Sequence, residues 1–176
     1  MGDYSEWLLR FLKAQNAIQV HILAHSFGAR VAFKTLYNHP GIAKSLIITG
    51  GAGIVRPRSP EYLKKVARYR RIKRFFPKFA ERHFGSEEYR TLSPLMRGSY
   101  KKIVNEDLSA CAAAIKCRTY LLYGDSDGVT PPDEEGQTFH KLISGSRFDT
   151  MQGGHFCFSE HPDVFNSKIL DFLREE

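Results

Sequence analysis

Four positions carry groups suited to nucleophilic chemistry on a carbonyl: Ser26, Phe27, Asp127 and His155. A serine hydroxyl is a weak nucleophile until a base takes its proton, and the base needs an acid to hold it in orientation. Ser26 lies in Ala24-His25-Ser26-Phe27-Gly28, a small-x-Ser-x-Gly pattern between a short β-rich run and an apolar helical pattern. That context suits a sharp strand-to-helix turn that lifts the hydroxyl above the edge of a sheet. Glycine is usual at the first position; Ala24 departs from that but stays small. The first N–H groups of the following helix have no partner inside it, so the Phe27 N–H is placed to stabilise a developing oxyanion.

Two later segments supply an acid and a base. Gly124-Asp125-Ser126-Asp127-Gly128-Val129-Thr130-Pro131 follows an apolar run, and Asp127 sits beyond the expected strand tip. Asp125 is the rival acid, although a turn-capping role suits it better. Gly153-Gly154-His155 follows a weaker strand pattern, and paired glycines allow a tight turn that presents the imidazole. Loop Asp and loop His residues are each commonplace; the order Ser, Asp, His at successive strand ends is what selects these. The remaining histidines fit less well. His21 falls in a strand, His39 at a helix end, His83 in a basic segment and His161 at a helix start. His25 lies inside the serine turn and is expected to point away from the nucleophile.

The elements that must position these groups are legible as periodicity. Asp3 followed by Glu6 reads as a capping box, and Tyr4, Trp7, Leu8, Phe11 and Leu12 then share one helical stripe. Ile18 to Ala24 reads as a strand, followed by a helix through Val31, Ala32 and Leu36 to His39-Pro40. Ser45 to Thr49 reads as a strand closed by Gly50-Gly51, and Arg118 to Tyr123 as another. A helix through Phe139, Leu142 and Ile143, a strand over Arg147 to Met151, and a last helix presenting Phe165, Ile169, Phe172 and Leu173 complete the pattern. Alternating strands and helices predict an α/β fold with a mostly parallel sheet covered on both faces. Residues 56–105 break the alternation with basic, aromatic-studded helices. The expected organisation is therefore a core half over residues 1–55 carrying the serine turn, a helical cap over 56–105, and a second core half over 106–176 carrying the acid and histidine loops.

Composition narrows the function classes. A chain of 176 residues, 42% hydrophobic and 26% charged, is ordinary for one globular domain. No apolar run approaches the roughly 18 residues of a membrane span, and no secretory signal pattern opens the chain. Cys111, Cys117 and Cys157 lack metal-ligand spacing and read as idle thiols of a reducing cytoplasm, so no metal is expected. The net charge of +7 is uneven. Arg56 to Lys102 hold 15 Lys/Arg against four Glu, a surplus of 11 that leaves the rest of the chain at −4. Such a block could attract nucleic acid, an anionic membrane or an acidic substrate. Arg70, Arg71, Lys73, Arg74, Phe75 and Phe76 do interleave charge with aromatics as single-strand binders can. A lid also needs aromatics, so no nucleic-acid partner is expected.

The segments ILAHSFGARVAFKTLYNHP, SLIITGGAG, YLLYGDSDGVTPP and GGHFCFSEHPDVFNSKILDFL together resemble the cap-containing α/β-hydrolases of the esterase, lipase and C–C hydrolase type. The resemblance covers essentially the whole chain. It implies Ser26 as nucleophile, Asp127 as triad acid, His155 as general base, a lid over residues 56–105, a small-molecule acyl substrate, and no metal or organic cofactor. It also marks a departure, because family members normally have four further strands, a helix and a loop giving a second oxyanion donor before the helix that opens this chain. A partial α/β-hydrolase fold is the expectation, with the strand Ile18 to Ala24 as an open edge. Such an edge could pair with a second copy, require a separate N-terminal chain, or mark a cut or decayed product; self-association into a homo-oligomer is favoured. Loss of an oxyanion donor costs roughly 10²–10³ in rate, so activity is expected to be weak or absent if that donor is not replaced, leaving a non-catalytic scaffold as the alternative.

Overall fold

A computed structural model describes residues 1–55, 59–76 and 92–175. The chain divides into two compact units, one formed by Met1–Ile54 with Asp107–Glu176 and the other by Val55–Glu106. In the first unit the elements run α1 (Gly2–Ala14), β1 (Val20–His25), α2 (Phe27–Asn38) and β2 (Ala43–Thr49). The second holds α3 (Pro60–Phe75) and α4 (Pro94–Val104). The first then resumes with α5 (Ser109–Ala113), β3 (Arg118–Gly124), α6 (Gln137–Leu142), β4 (Arg147–Met151), α7 (Cys157–Glu160) and α8 (Pro162–Arg174). Residues 56–58 and 77–91 of the expected cap lie outside the described residues.

The four strands form one sheet in the order β1-β2-β3-β4, and every neighbouring pair is parallel. Alternation along the strands sends successive side chains to opposite faces. Leu46, Ile48, Leu121 and Tyr123 pack on one face with Phe33 and Leu36 of α2 and with Ala112, Ile115, Phe139 and Ile143. Ile47, Tyr120 and Leu122 pack on the other with Met151, Cys157 and the α8 residues Phe165, Ile169 and Phe172. A sheet covered twice needs strands that are apolar on both sides, which is why β2 and β3 read as near-continuous hydrophobic runs. β1 is an outer strand and alternates between buried and exposed positions, with Leu23 half exposed.

Two expectations for the N-terminal segment need correction. Strand β1 starts at Val20 rather than Ile18, because Gln19 has φ 51° and breaks the extended run, leaving Ile18 in solvent. The Asp3–Glu6 capping box does not form. Helix α1 starts at Gly2 with Met1 at the cap position and no side-chain cap bond, so Asp3 acts only as an acidic residue in the first turn, where it complements the helix dipole. The aromatic stripe of α1 is real but largely uncovered. Leu12 is buried, whereas Trp7 is 61% and Phe11 49% exposed, the two rings stacked at 5.9 Å.

Candidate active site

The serine turn is built from the end of β1 and the start of α2. Ser26 has φ 49° and ψ −110°, a conformation a serine rarely adopts and one that a tight strand-to-helix reversal demands. Its N–H donates to the Thr49 carbonyl at 3.1 Å, tying the turn to the tip of β2. Ala24 and Gly28 approach across the turn; even a Cβ added at 28 would meet that of Ala24 at 3.6 Å, an ordinary contact, so alanine at 24 is accommodated.

The acid loop leaves β3 at Gly124. Asp127 is 3% exposed and its carboxylate is fully engaged. Oδ1 accepts from the N–H of Val129 at 2.8 Å and of Thr130 at 2.9 Å; Oδ2 accepts from the Thr130 hydroxyl at 2.8 Å. Burial alone would raise the Asp127 pKa, but the hydrogen bonds from Thr130, His155 and Val129 outweigh it and hold the carboxyl below the ordinary carboxylate range. The acid is therefore ionised and acts only as an acceptor.

That fixes the protons on His155. Its Nδ1 lies 2.9 Å from Asp127 Oδ2, so Nδ1 carries the hydrogen and donates to the carboxylate. Nε2 is left as the acceptor, 3.0 Å from Ser26 Oγ. The structure thus brings Ser26, His155 and Asp127 into one hydrogen-bonded line from positions far apart in the chain. Asp125 stands apart from that line. Its Oδ1 accepts from the Gly153 N–H at 3.2 Å and from the Ser126 hydroxyl at 2.9 Å, pinning the histidine loop to the acid loop. Backbone bonds from Asp125 N to Met151 O and from Ser126 N to Gly153 O close the same seam. The histidine loop passes so near the end of β3 that a Cβ on Gly124 would fall 2.2 Å from the Gly154 carbonyl oxygen.

His25 corrects the sequence reading. Its ring does not lie apart from the nucleophile's machinery; it sits 4.6 Å from the His155 ring and 4.9 Å from Phe158, with Phe156 at 5.3 Å. Its Nδ1 is 3.0 Å from the Thr49 carbonyl, which accepts only, so Nδ1 carries the hydrogen. Burial, then the adjacent His155, push the His25 pKa below its ordinary value, against the opposing pull of the Thr49 carbonyl and Asp127. Gly50, with φ 53°, lies beneath both rings; a Cβ there would stand 3.0 Å from His155 and 3.1 Å from His25.

Sequence reasoning also missed Glu135. This buried carboxylate accepts from the N–H groups of Gly53 and Ile54 at 3.2 Å each, and the Leu108 N–H donates to the Gly53 carbonyl at 2.9 Å. It therefore holds the chain where it leaves the core unit, close to where it returns. Only its place at the end of the acidic run Asp133-Glu134-Glu135 after two prolines was visible beforehand. Thr130, whose hydroxyl also lies 3.3 Å from His155 Nδ1, is a second group that no periodicity announces. Among the described residues no group of three His, Cys, Asp or Glu side chains could hold a metal, and the three cysteines are free.

A parallel sheet with helices on both faces, a serine in a strained turn after one strand and an Asp and a His after later strands together define the α/β-hydrolase fold. Solved structures bear this out. The chain superposes with a TM-score of 0.71 on MGS-MChE2, an alpha/beta hydrolase from a sediment metagenome of the Mar Chica lagoon, Morocco, at 21% identity, covering 99% of this chain and 69% of that one. It superposes with a TM-score of 0.69 on the meta-cleavage product hydrolase CumD (17% identity, 99% and 72% covered). For an esterase of Exiguobacterium antarcticum the TM-score is 0.66 (20% identity, 97% and 72% covered). In sequence, the chain is 23% identical over 226 aligned residues to an Oryza sativa subsp. japonica protein described as "Probable 1-acylglycerol-3-phosphate O-acyltransferase". That match covers 99% of this chain and 54% of the rice protein, so the chain spans about half of that relative's length. No family model matches the sequence.

Proposed function

We propose that this chain is a serine hydrolase acting on an ester or related acyl substrate through Ser26, His155 and Asp127. The observation that carries the reading is the hydrogen-bonded line from Asp127 Oδ2 through His155 to Ser26 Oγ, at 2.9 Å and 3.0 Å, with the histidine proton assigned to the acid side. In this reading Ser26 Oγ attacks the carbonyl carbon as His155 Nε2 takes its proton. Asp127 stabilises the resulting imidazolium without taking the proton itself. The tetrahedral oxyanion is met by the Phe27 N–H at the start of α2. Collapse expels the alcohol, which takes the proton from His155, and water repeats the sequence on the acyl-serine. In this reading residues 56–105 act as the lid, as the family resemblance implies, and no metal or organic cofactor takes part.

Two specific observations extend the reading. The name of the rice relative concerns acyl transfer, and the same acyl-serine becomes an acyl donor when an alcohol replaces water as the second nucleophile. Strand β1 is an outer strand with Leu23 half exposed, which supports self-association through that edge. The alternative is a scaffold that folds and associates without chemistry. A fluorophosphonate probe and p-nitrophenyl butyrate hydrolysis, each compared between wild type and Ser26→Ala, separate the two. Labelling and turnover that vanish in the variant support the triad; equal background rates in both proteins leave the scaffold reading.

A further inference from the structure

We propose that helix α3 docks the protein on the surface of an anionic lipid bilayer. The inference does not depend on catalysis. From Lys64 to Arg74 the helix carries seven Lys or Arg in 11 residues and no acid, with Glu61 alone in its first turn. At 1.5 Å per residue those charges are strung over about 15 Å. Lys64, Arg68 and Arg71 are exposed at i, i+4 and i+7, so they form one row along the helix, and Phe75 at i+11 continues it. Val66, Tyr69, Ile72 and Lys73 are the half-buried positions and form the opposite arc.

Charge complementarity calls for a polyanion, and four to eight Lys/Arg on one helix is the density that binds acidic headgroups. The apolar neighbours of that charge decide between a bilayer and a nucleic acid. Phe75 and Phe76 close the helix at 68% and 66% exposure, the former with the Arg74 guanidinium 6.0 Å from its ring centre. Rings of this kind could stack on bases. Leu63 on α3 is also more than half exposed, and an aliphatic side chain suits an acyl boundary, whereas single-strand binding relies on aromatic stacking within a cationic groove. A helix with a basic face and bulky apolar residues beside it lies in the headgroup region, cations on phosphates and apolar groups at the acyl boundary.

The test is co-sedimentation of the full chain with vesicles of phosphatidylcholine alone and of phosphatidylcholine containing about 30% phosphatidylserine. Binding at least about tenfold tighter to the acidic vesicles, weakening as salt shortens the Debye length from ~10 Å toward ~3 Å, is the expected result. Lys64→Gln, Arg68→Gln and Arg71→Gln together are expected to lower that affinity about 100-fold, and Phe75→Ser with Phe76→Ser about tenfold. Ser26→Ala is expected to bind as wild type, so the result stands apart from the hydrolase reading. Equal binding to both vesicle types overturns the proposal, as does a wild-type preference for an oligouridine RNA over the acidic vesicles.

Discussion

Gly50→Ala isolates the geometry of the histidine seat. Gly50 has φ 53°, where an L-residue with a Cβ pays roughly 1–2 kcal/mol. For a chain of this size each kcal/mol lowers Tm by about 2–4 °C, so a drop of about 2–8 °C follows from the backbone alone. The second effect is steric. The new methyl would stand 3.0 Å from Cε1 and Nδ1 of His155 and 3.1 Å from Cε1 of His25, whereas carbon contacts settle near 3.5–4.0 Å. One of the two rings must therefore give way by a few tenths of an ångström, and His155 holds both Asp127 at 2.9 Å and Ser26 at 3.0 Å. A misplacement of a full 1 Å costs about 10² in rate, so a shift of a few tenths costs about tenfold.

Gly145 provides a matched control. It has φ 72° and nothing within 4 Å of where a methyl would stand, so Gly145→Ala carries the backbone cost without the collision. Thermal melts and p-nitrophenyl butyrate kinetics on both variants give the comparison. Gly50→Ala is expected to lose at least as much Tm as Gly145→Ala, and it alone to lose about tenfold in kcat/KM. Retention of activity within about threefold in Gly50→Ala, or an equal loss in Gly145→Ala, would refute the claim that the two rings rest on this glycine.

Asp127→Asn is expected to lower kcat by about 10⁴ with KM little changed, because an amide facing Nδ1 favours the wrong histidine tautomer. The native carboxyl titrates below its unfolded value of about 3.9, so its contribution to stability is complete above that pH and is lost as pH falls through the folded value. The Asn variant should lack that part of acid unfolding, which urea titrations at successive pH values would read out. His25 runs in the same direction for a different reason. Its folded pKa lies below 6.5, so the unfolded chain takes up the proton first and the fold loses stability as pH drops below about 6.5 toward the folded value. Replacement by Phe in the ring cluster with Phe156 and Phe158 should flatten the fall in Tm between about pH 7.5 and pH 5; an unchanged slope would remove His25 from that account.

The strands were legible because β2 and β3 are buried on both faces and so must be apolar throughout. The candidate nucleophile, acid and base were legible because chain order and strand ends restrict them. His25 was not, because its role depends on where Gly50 and the β4 loop stand, and nothing local in Ala24-His25-Ser26 contains that information. Thr130 and Glu135 escaped for a related reason: each satisfies backbone or carboxylate groups brought near only by the fold. The stripe on α1 shows a different limit. Periodicity identifies Tyr4, Trp7 and Phe11 as sharing a face but is silent on whether anything covers it.

The two close glycines at the strand ends share one geometric cause. Strands in this sheet follow the order β1-β2-β3-β4, and neighbours in a sheet lie about 4.8 Å apart, so the tips of β1 and β4 are separated by roughly 14 Å. Ser26 directly follows β1, whose last residue pairs with Thr49, while His155 leaves β4, whose Met151 pairs with Gly124. The histidine loop must therefore cross the ends of β3 and β2 to bring its imidazole to the serine. Gly124 ends β3 and Gly50 follows β2, and at each a Cβ would stand in the loop's path, 2.2 Å from the Gly154 carbonyl and 3.0 Å from the imidazole. Asp127, rising from the strand between, meets the ring midway and orients it. The absence of side chains at 50 and 124 is thus a requirement of bridging four strands with one short loop. A sequence carrying the same Ser, Asp and His with bulky residues at those two positions would place the three groups on the sheet edge without bringing them into contact.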